Sequence, residues 1–164
     1  MISADDRFAI ADTLARYCFL LDRGHAEQLS EEVFSADAQL DYSSGLVVGQ
    51  QAVASFFAPY AGQFHTTAHF VSNVVVSEIA GEPASTCYYQ SWRWNPETAV
   101  FGPLRPADMV GIGAYDDRWT KTAAGWRIRR RSLRALGPGP IGVGRPPGDM
   151  LEMFAERARR AGAA

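Results

Sequence analysis

The order in which helical and strand patterns follow one another along the chain is the feature that most limits its fold. In the first 60 residues apolar side chains recur with a helical period, and from position 65 onward the chain consists of β-branched and aromatic runs separated by turn signals. Helices followed by strands are typical of an α+β domain, whereas a parallel α/β sheet needs alternating βαβ units. We therefore predict helices packed on an antiparallel sheet.

The first helix has clear start and stop signals. Ser3 precedes Asp5 and Asp6, and such side chains cap and complement the free N–H groups of a helix N-terminus. Gly24 provides a natural end, because glycine readily adopts the left-handed conformation that follows many helices. Two shorter helices are predicted over 25–34 and 49–60.

Five strands are predicted. Four of them follow the helices and are separated by turn signals rich in glycine, proline or asparagine. The fifth is a short alternating segment between the second and third helices. The predicted strands are 38–42, 65–79, 84–94, 109–120 and 126–136.

The last 28 residues have a different character, and we predict a domain over 1–136 followed by a tail over 137–164. The segment 137–148 holds four of the nine prolines and five of the 15 glycines, which excludes regular structure. Asp149 then caps a predicted helix with Met150, Met153 and Phe154 on its apolar side. This helix either covers a neighbouring surface or frays as a terminus.

Length, charge and cysteine content exclude several classes of protein. A chain of 164 residues suits one domain, and a net charge of −2 carries no electrostatic signature of nucleic-acid or membrane binding. The acidic N-terminus does not resemble a signal peptide, and no apolar stretch reaches the ~20 residues of a membrane span. Cys18 and Cys87 lie in apolar runs, which predicts buried free thiols in a reducing cytoplasm.

The sequence contains no motif for a metal or a nucleotide. His65 and His69 are four residues apart, but on a predicted strand this spacing separates them too far to chelate one ion easily. The remaining histidine, His25, has no partner at ligand spacing. Glycine-rich phosphate loops and the Gly-x-Ser-x-Gly nucleophile motif are also missing. We therefore expect no metal and no cofactor.

The candidate site consists of isolated polar residues within apolar segments. Each has a structural alternative, since an aspartate that ends a helix is commonly a solvated cap and a single strand histidine is commonly a hydrogen-bonded core residue. The residues are Tyr17, Asp22, Asp41, Tyr42, His69, Asn73 and Arg131.

The arrangement of these residues resembles the SnoaL-like branch of the nuclear transport factor 2-like superfamily over about residues 3 to 136. The similar segments are IADTLARY at 10–17, LDRG at 21–24, FSADA at 34–38, TAHFVSN at 67–73, DRW at 117–119 and GWRI at 125–128, with Gly49 before a helix. The resemblance implies a cone in which three helices fold against a strongly curved antiparallel sheet around one deep apolar cavity.

Within that superfamily the chain is most similar to scytalone dehydratase, bile-acid 7α-dehydratase and hexachlorocyclohexane dehydrochlorinase. The resemblance assigns their shared Asp–His pair to Asp22 and His69. It also matches Tyr17 to a tyrosine of the bile-acid enzyme, Tyr42 to one of scytalone dehydratase and Arg131 to an arginine of the dehydrochlorinase.

The sequence also departs from known members. The ketosteroid isomerase branch has its general-base aspartate where this chain has Tyr42, which argues against that chemistry by this residue. A histidine and an asparagine of scytalone dehydratase are replaced by aromatic residues near Trp94 and Tyr115, which argues against scytalone as the substrate.

The pair suggests a mechanism. An aspartate that accepts a hydrogen bond from one imidazole nitrogen leaves the other free to act as a base. His69 would remove a proton next to a leaving group, Tyr17 and Tyr42 would donate hydrogen bonds, and Arg131 would hold developing negative charge. Further side chains would surround a ring-shaped substrate, although most aromatic residues are simply core. They are Phe64, Phe70, Asn73, Tyr88, Trp92, Trp94 and Tyr115.

We therefore expect a cofactor-independent lyase, most simply a dehydratase, or an isomerase acting on a small hydrophobic, cyclic or polyketide-like substrate. A non-catalytic ligand-binding or assembly module and a β-subunit of a ring-hydroxylating dioxygenase are the alternatives. The resemblance implies a homodimer or homotrimer formed through the open face of the sheet. The tail helix would then cover the site entrance or a neighbouring subunit.

Overall fold

A computed structural model describes residues 2–42, 45–60, 66–95 and 106–136. The predicted tail, residues 43–44 and Phe64 lie outside these described residues. Within them the chain forms three α-helices, one short 3-10 helix and six strands. These are α1 (Ala4–Asp22), α2 (Ala26–Val33), β1 (Phe34–Tyr42), β2 (Gly45–Val48), α3 (Gln50–Phe57), the 3-10 helix (Ala58–Tyr60), β3 (Thr67–Ile79), β4 (Glu82–Arg93), β5 (Met109–Thr122) and β6 (Gly125–Ala135).

The six strands form one sheet in the order β2-β1-β6-β5-β4-β3. Neighbouring strands are antiparallel except β1 and β6, which pair in parallel, so the sheet is mixed. It is strongly curled but not closed. Helix α1 contacts β3 and β6, while α2 and α3 contact β1. The predicted α+β class, with helices packed on a strongly curved sheet, is confirmed. The sheet departs from the predicted antiparallel arrangement in one pair, because β1 and β6 are parallel.

The first helix begins and ends where the sequence indicates. The Ser3 hydroxyl accepts a hydrogen bond from the Asp6 N–H at 3.1 Å, and the helix ends at Asp22. Gly24 follows with φ of 70°, a conformation that glycine adopts without strain. Because Leu14, Tyr17 and neighbouring side chains bury one side of α1, its last residue is held against the sheet.

The inner face of the sheet, defined as the face that packs against the helices, carries the core. Helical residues such as Ile10, Leu14 and Leu29 form one hydrophobic cluster with sheet residues such as Trp119 and Ile128. The opposite side, here called the outer face, exposes several large apolar side chains. They include Phe70, Val75, Tyr88 and Ile112.

A β-bulge interrupts β3, and it alters the expected position of Asn73. The register against β4 shifts between Ser72 and Val75, and Asn73 has φ of 55°. Asparagine tolerates this left-handed conformation better than most residues. We expected Asn73 to share a face with His69, but Asn73 is exposed, because the extra residue of the bulge disrupts the alternation of side chains.

The cysteines and the short strand β2 can also be compared with the sequence predictions. Cys18 and Cys87 are both buried and free, as predicted. Strand β2 was not predicted, because four residues are too few to show a clear period. No helix in the described ranges combines the length and the apolar character needed to cross a membrane.

Candidate active site

Asp22 and His69 lie in direct contact where the end of α1 meets the start of β3. The Asp22 Oδ1 and His69 Nδ1 atoms are 2.5 Å apart, within the hydrogen-bonding reach expected of the pair. The other carboxylate oxygen, Oδ2, accepts from the His69 backbone N–H at 2.8 Å. The Thr67 hydroxyl also donates to Oδ1, at 3.3 Å. These contacts orient the carboxylate toward the imidazole.

Ser91 contacts the second nitrogen of the same imidazole. Its Oγ lies 3.0 Å from His69 Nε2, because Ser91 is directly opposite His69 in the β3–β4 register. With Nδ1–H donating to Asp22, Nε2 is the acceptor and the serine hydroxyl is the donor. Sequence reasoning missed Ser91. In the sequence Ser91 is only a small polar residue on the same strand face as Tyr89. The strand register is needed to show that it lies opposite His69.

Burial keeps the His69 imidazole neutral. Loss of solvation lowers the pKa of His69, and the positive charge of Arg93 lowers it further. The hydrogen bond and charge of Asp22 raise this pKa and offset part of the effect. The net direction is downward, because the side chain is only 6% exposed. His69 is therefore uncharged near pH 7, with Nε2 available as a base.

Tyr60 and Arg93 lie beside this pair and were also missed. The Tyr60 and His69 ring centroids are 6.1 Å apart. The Arg93 guanidinium carbon lies 4.3 Å from the Tyr60 centroid, within the range of a cation–π interaction. Arg93 is buried at the end of β4, so its charge acts in a region with little water.

A second polar cluster lies within the core around Arg131. Its Nε and Nη2 atoms each donate to an Asp117 carboxylate oxygen at 2.8 Å, and both side chains are 0% exposed. The guanidinium carbon lies 4.4 Å from the Tyr17 ring centroid and 4.0 Å from that of Tyr115. Among the residues that the structure describes, none forms a hydrogen bond with the buried Nη1. Asp117 was not among the predicted site residues.

Three tyrosine hydroxyls meet beside Arg131. The Tyr17 hydroxyl oxygen lies 3.5 Å from that of Tyr42 and 3.4 Å from that of Tyr115. Burial raises the pKa of Tyr42 to about 12 and raises the pKa of Tyr17 and Tyr115 as well. All three hydroxyls are therefore protonated at neutral pH and can donate hydrogen bonds.

Phe57 of α3 connects the two clusters. Its ring centroid is 6.0 Å from Tyr17, 6.5 Å from Tyr42 and 6.1 Å from Tyr60. Tyr60 in turn adjoins His69. The predicted catalytic residues thus occupy two neighbouring clusters, one around His69 and one around Arg131, joined by aromatic rings.

Two predicted lining residues, Tyr88 and Trp92, lie on the outer face, away from His69. Successive side chains of a strand point to opposite faces, so residues at odd spacing from Ser91 face away from His69. Tyr88 is 48% exposed, and the Trp92 indole N–H donates to Gln90 Oε1 at 3.1 Å. Phe70 is likewise exposed, next to His69 on β3. The expectation that these residues surround the same site as His69 is corrected.

The other predicted lining residues, and the candidate Asp41, lie in several different places. Trp94 directly follows β4, is half-buried, and its backbone N–H donates to the Thr66 carbonyl at 2.8 Å. Tyr115 belongs to the Arg131 cluster. Phe64 is outside the described residues, so its position stays a prediction. Asp41 is exposed and pairs with Arg130 at 3.8 Å on the surface.

A metal site needs several histidine, cysteine, aspartate or glutamate side chains close together. Among residues 2–42, 45–60, 66–95 and 106–136, no three histidine, cysteine, aspartate or glutamate residues are grouped so that they could hold a metal ion. Asp22 and His69 instead form a hydrogen bond with each other.

Comparison with known proteins identifies the family. Residues 3–132 match the SnoaL-like domain. The uncharacterized protein Rv2910c of Mycobacterium tuberculosis is 30% identical over 131 residues, which cover 77% of this chain and 82% of that protein. The predicted resemblance to SnoaL-like proteins is thereby confirmed.

Two solved structures from Novosphingobium aromaticivorans have a similar fold. One, described as a candidate aromatic ring hydroxylase, has a TM-score of 0.68 and 22% identity, over 87% of this chain and 96% of that one. The other, a candidate scytalone dehydratase, has a TM-score of 0.65 and 21% identity, over 84% and 87%. At these identities the likeness concerns the fold alone. By the match over residues 3–132, the chain belongs to the SnoaL-like domain family.

Proposed function

We propose that this protein is a cofactor-independent lyase or isomerase in which His69 acts as the general base. The observation that carries the proposal is the Asp22–His69 hydrogen bond, with Oδ1 and Nδ1 2.5 Å apart, which leaves Nε2 unprotonated. The Ser91 hydroxyl that donates to Nε2 turns away when a substrate proton approaches this nitrogen. The family includes dehydratases, which supports a reaction that starts with proton removal.

The proposed reaction uses His69 twice. Nε2 removes a proton from a carbon next to a leaving group or a carbonyl, and Asp22 stabilises the imidazolium that forms. The same nitrogen then returns the proton, either to the leaving hydroxyl in a dehydration or to a different carbon in an isomerisation. Positioned general acid–base catalysis of this kind contributes about 10²–10⁴ in rate.

The side chains near His69 favour a cyclic, largely apolar substrate with one oxygen function. Tyr60 presents aromatic surface next to the imidazole, and Phe57 packs against Tyr60. The Tyr42 hydroxyl is protonated and belongs to a half-buried residue, so in the proposed reaction it donates to a carbonyl or hydroxyl of the substrate. Arg131 is paired with the Asp117 carboxylate by two hydrogen bonds, so its role in the proposal is to hold Tyr17 and Tyr115 in place rather than to offer a net positive charge.

The experiment measures deuterium incorporation rather than turnover of one known substrate. Wild-type protein and the His69→Gln variant are incubated in D₂O with a panel of cyclic ketones and β-hydroxy ketones, and exchange or loss of water is followed by mass spectrometry. We expect His69→Gln to lower the exchange rate about 10²–10⁴-fold. Ser72→Ala, a change at an exposed position of the same strand, is the matched control. Equal exchange rates in His69→Gln and wild type would contradict the proposal.

One observation favours a second candidate, a ligand-binding role without turnover. The His69 side chain is 6% exposed and both of its ring nitrogens already have protein partners. In that case the panel compounds would raise the melting temperature without any deuterium entering them.

A further inference from the structure

We propose that Ser91 completes an Asp22–His69–Ser91 relay and acts as a nucleophile toward activated acyl groups, such as esters of good leaving groups. This activity goes beyond the lyase or isomerase reaction, although it uses the same histidine. The geometry that carries it is a continuous chain of two side-chain contacts, 2.5 Å from Asp22 Oδ1 to His69 Nδ1 and 3.0 Å from His69 Nε2 to Ser91 Oγ.

The carboxylate, the imidazole and the hydroxyl follow one another in the order, and at the distances, that activate a serine. A nucleophile and its base must be within about 2.6–3.2 Å, and a third group must orient the base. Here Asp22 is that third group, and it is itself fixed by the His69 backbone N–H and the Thr67 hydroxyl. The register places Ser91 directly opposite His69, so the contact is set by the sheet rather than by a loop.

The neighbour of Ser91 on β5 is a glycine, Gly111, and Ser91 itself is half-buried. A Cβ at Gly111 would make an ordinary contact of 3.8 Å with the Ser91 Cβ, so the glycine leaves the room that a larger side chain would fill beside Ser91. In the proposed reaction the acyl group enters from this side.

Arg93 is a buried cationic residue on the same strand as Ser91. It follows Ser91 by two residues on β4 and therefore shares its face of the sheet. Its charge lowers the pKa of His69, which indicates that its field reaches the imidazole. A buried cation at this position would stabilise the oxyanion that forms when Oγ attacks a carbonyl carbon.

The covalent step balances with an ester and water alone. Oγ forms a bond to the carbonyl carbon while its proton passes to His69 Nε2, and the bond to the leaving alkoxide or phenoxide breaks. The proton on Nε2 leaves with the leaving group or, where that group departs as an anion such as a phenolate, passes to solvent, so that Nε2 is unprotonated again. A water molecule then gives a proton to Nε2, its oxygen attacks the acyl carbon, and the proton returns to Ser91 as the carboxylic acid is released.

The experiment uses the full chain and p-nitrophenyl acetate as the probe. Release of p-nitrophenolate is followed by absorbance, and acetylated protein is located by intact mass and peptide mapping. We expect one acetyl group per chain on Ser91, and at least about 100-fold slower labelling in both Ser91→Ala and His69→Gln. Ser72 is an exposed serine on the outer face of β3, and the Ser72→Ala variant should be acetylated at the same rate as wild type. Labelling confined to lysine, or equal rates in Ser91→Ala, would overturn the proposal.

A second variant keeps the test informative if Ser91→Ala folds poorly. In Ser91→Cys the new thiol lies beside His69, whereas burial raises the pKa of Cys18 to about 12 and that of Cys87 to about 11. Iodoacetamide should therefore alkylate position 91 well before either native cysteine, and His69→Gln in the same background should remove this preference. Alkylation of position 91 that does not depend on His69 would overturn the relay.

The outcome is distinguishable from that of the proposed lyase or isomerase. Deuterium exchange that depends on His69 but persists in Ser91→Ala, together with no acylation of Ser91, would refute the nucleophile and leave the general base intact. Acylation of Ser91 without any deuterium exchange would refute the lyase or isomerase proposal and support the nucleophile.

Discussion

Two side-chain pairs of the described residues, Asp22 with His69 and Asp117 with Arg131, each join a carboxylate to a nitrogen group, and they differ in what they can do. Asp22 and His69 are 22% and 6% exposed and lie where a helix end meets a strand. Asp117 and Arg131 are both 0% exposed and lie on neighbouring strands inside the core. The first pair contains a base that can gain and lose a proton near neutral pH, whereas the guanidinium of the second keeps its charge.

The comparison teaches that pairing alone does not make a catalytic group. A buried pair of fixed charges costs desolvation energy that its mutual attraction repays only with good geometry, so its contribution is structural and electrostatic. The Arg131 cluster has that geometry, with two parallel hydrogen bonds and aromatic rings nearby. The His69 pair combines good geometry with a base that titrates.

The largest effect should come from removing one partner of the core pair. Asp117→Ala leaves the Arg131 charge buried without its counterion, which should lower the free energy of unfolding by about 3–5 kcal/mol. Asp22→Ala should lower it by about 1.5–3 kcal/mol, because it removes hydrogen bonds to a carboxylate but leaves no uncompensated buried charge. Urea unfolding of the two variants side by side measures this difference.

The double replacement Asp117→Leu with Arg131→Met is the control, since it removes both charges and should recover most of the lost stability. Equal losses in Asp117→Ala and Asp22→Ala would show that the two pairs do not differ as described.

A smaller effect should appear in the pH dependence of stability. The pKa of His69 is lowered in the folded protein, so below the ordinary value of 6.5 the unfolded chain binds the proton more readily than the native one. Stability should therefore fall as the pH decreases below about 6.5, by up to about 1.4 kcal/mol per pH unit, until the folded pKa is reached.

Denaturant titrations of wild type and His69→Gln between pH 7.5 and 5 would test this. The difference between their stability curves isolates the histidine, and Arg131, whose charge is constant over this range, should contribute no slope. A His69 contribution that grows as the pH falls would mean that the folded pKa is raised instead.

The smallest effect should distinguish the tyrosines. Tyr17 is 1% exposed and its hydroxyl contacts are 3.4 and 3.5 Å, so Tyr17→Phe should lower stability by about 0.5–1.5 kcal/mol with little change in deuterium exchange. Tyr42 is half-buried, and Tyr42→Phe should slow exchange about fivefold, equivalent to one hydrogen bond of about 1 kcal/mol. The opposite ranking in the exchange assay would place the substrate oxygen at Tyr17.

Much of the local structure could be predicted from local patterns. The capping of α1 by Ser3, its end before Gly24 and the resulting position of Asp22 depend on residues close together in the chain. The order of helices and strands likewise determined the α+β class. The family resemblance then connected Asp22 with His69, although 47 positions separate them.

Only the tertiary structure decided which distant residues meet. The Ser91 contact with His69 follows from strand register, and the Arg131 pairing with Asp117 follows from the β5–β6 register. The bulge at Asn73 and the outward positions of Tyr88 and Trp92 have the same origin. Alternating patterns have a period of two, so a shift of one residue reverses the face of every side chain, and register is set by packing across the whole sheet.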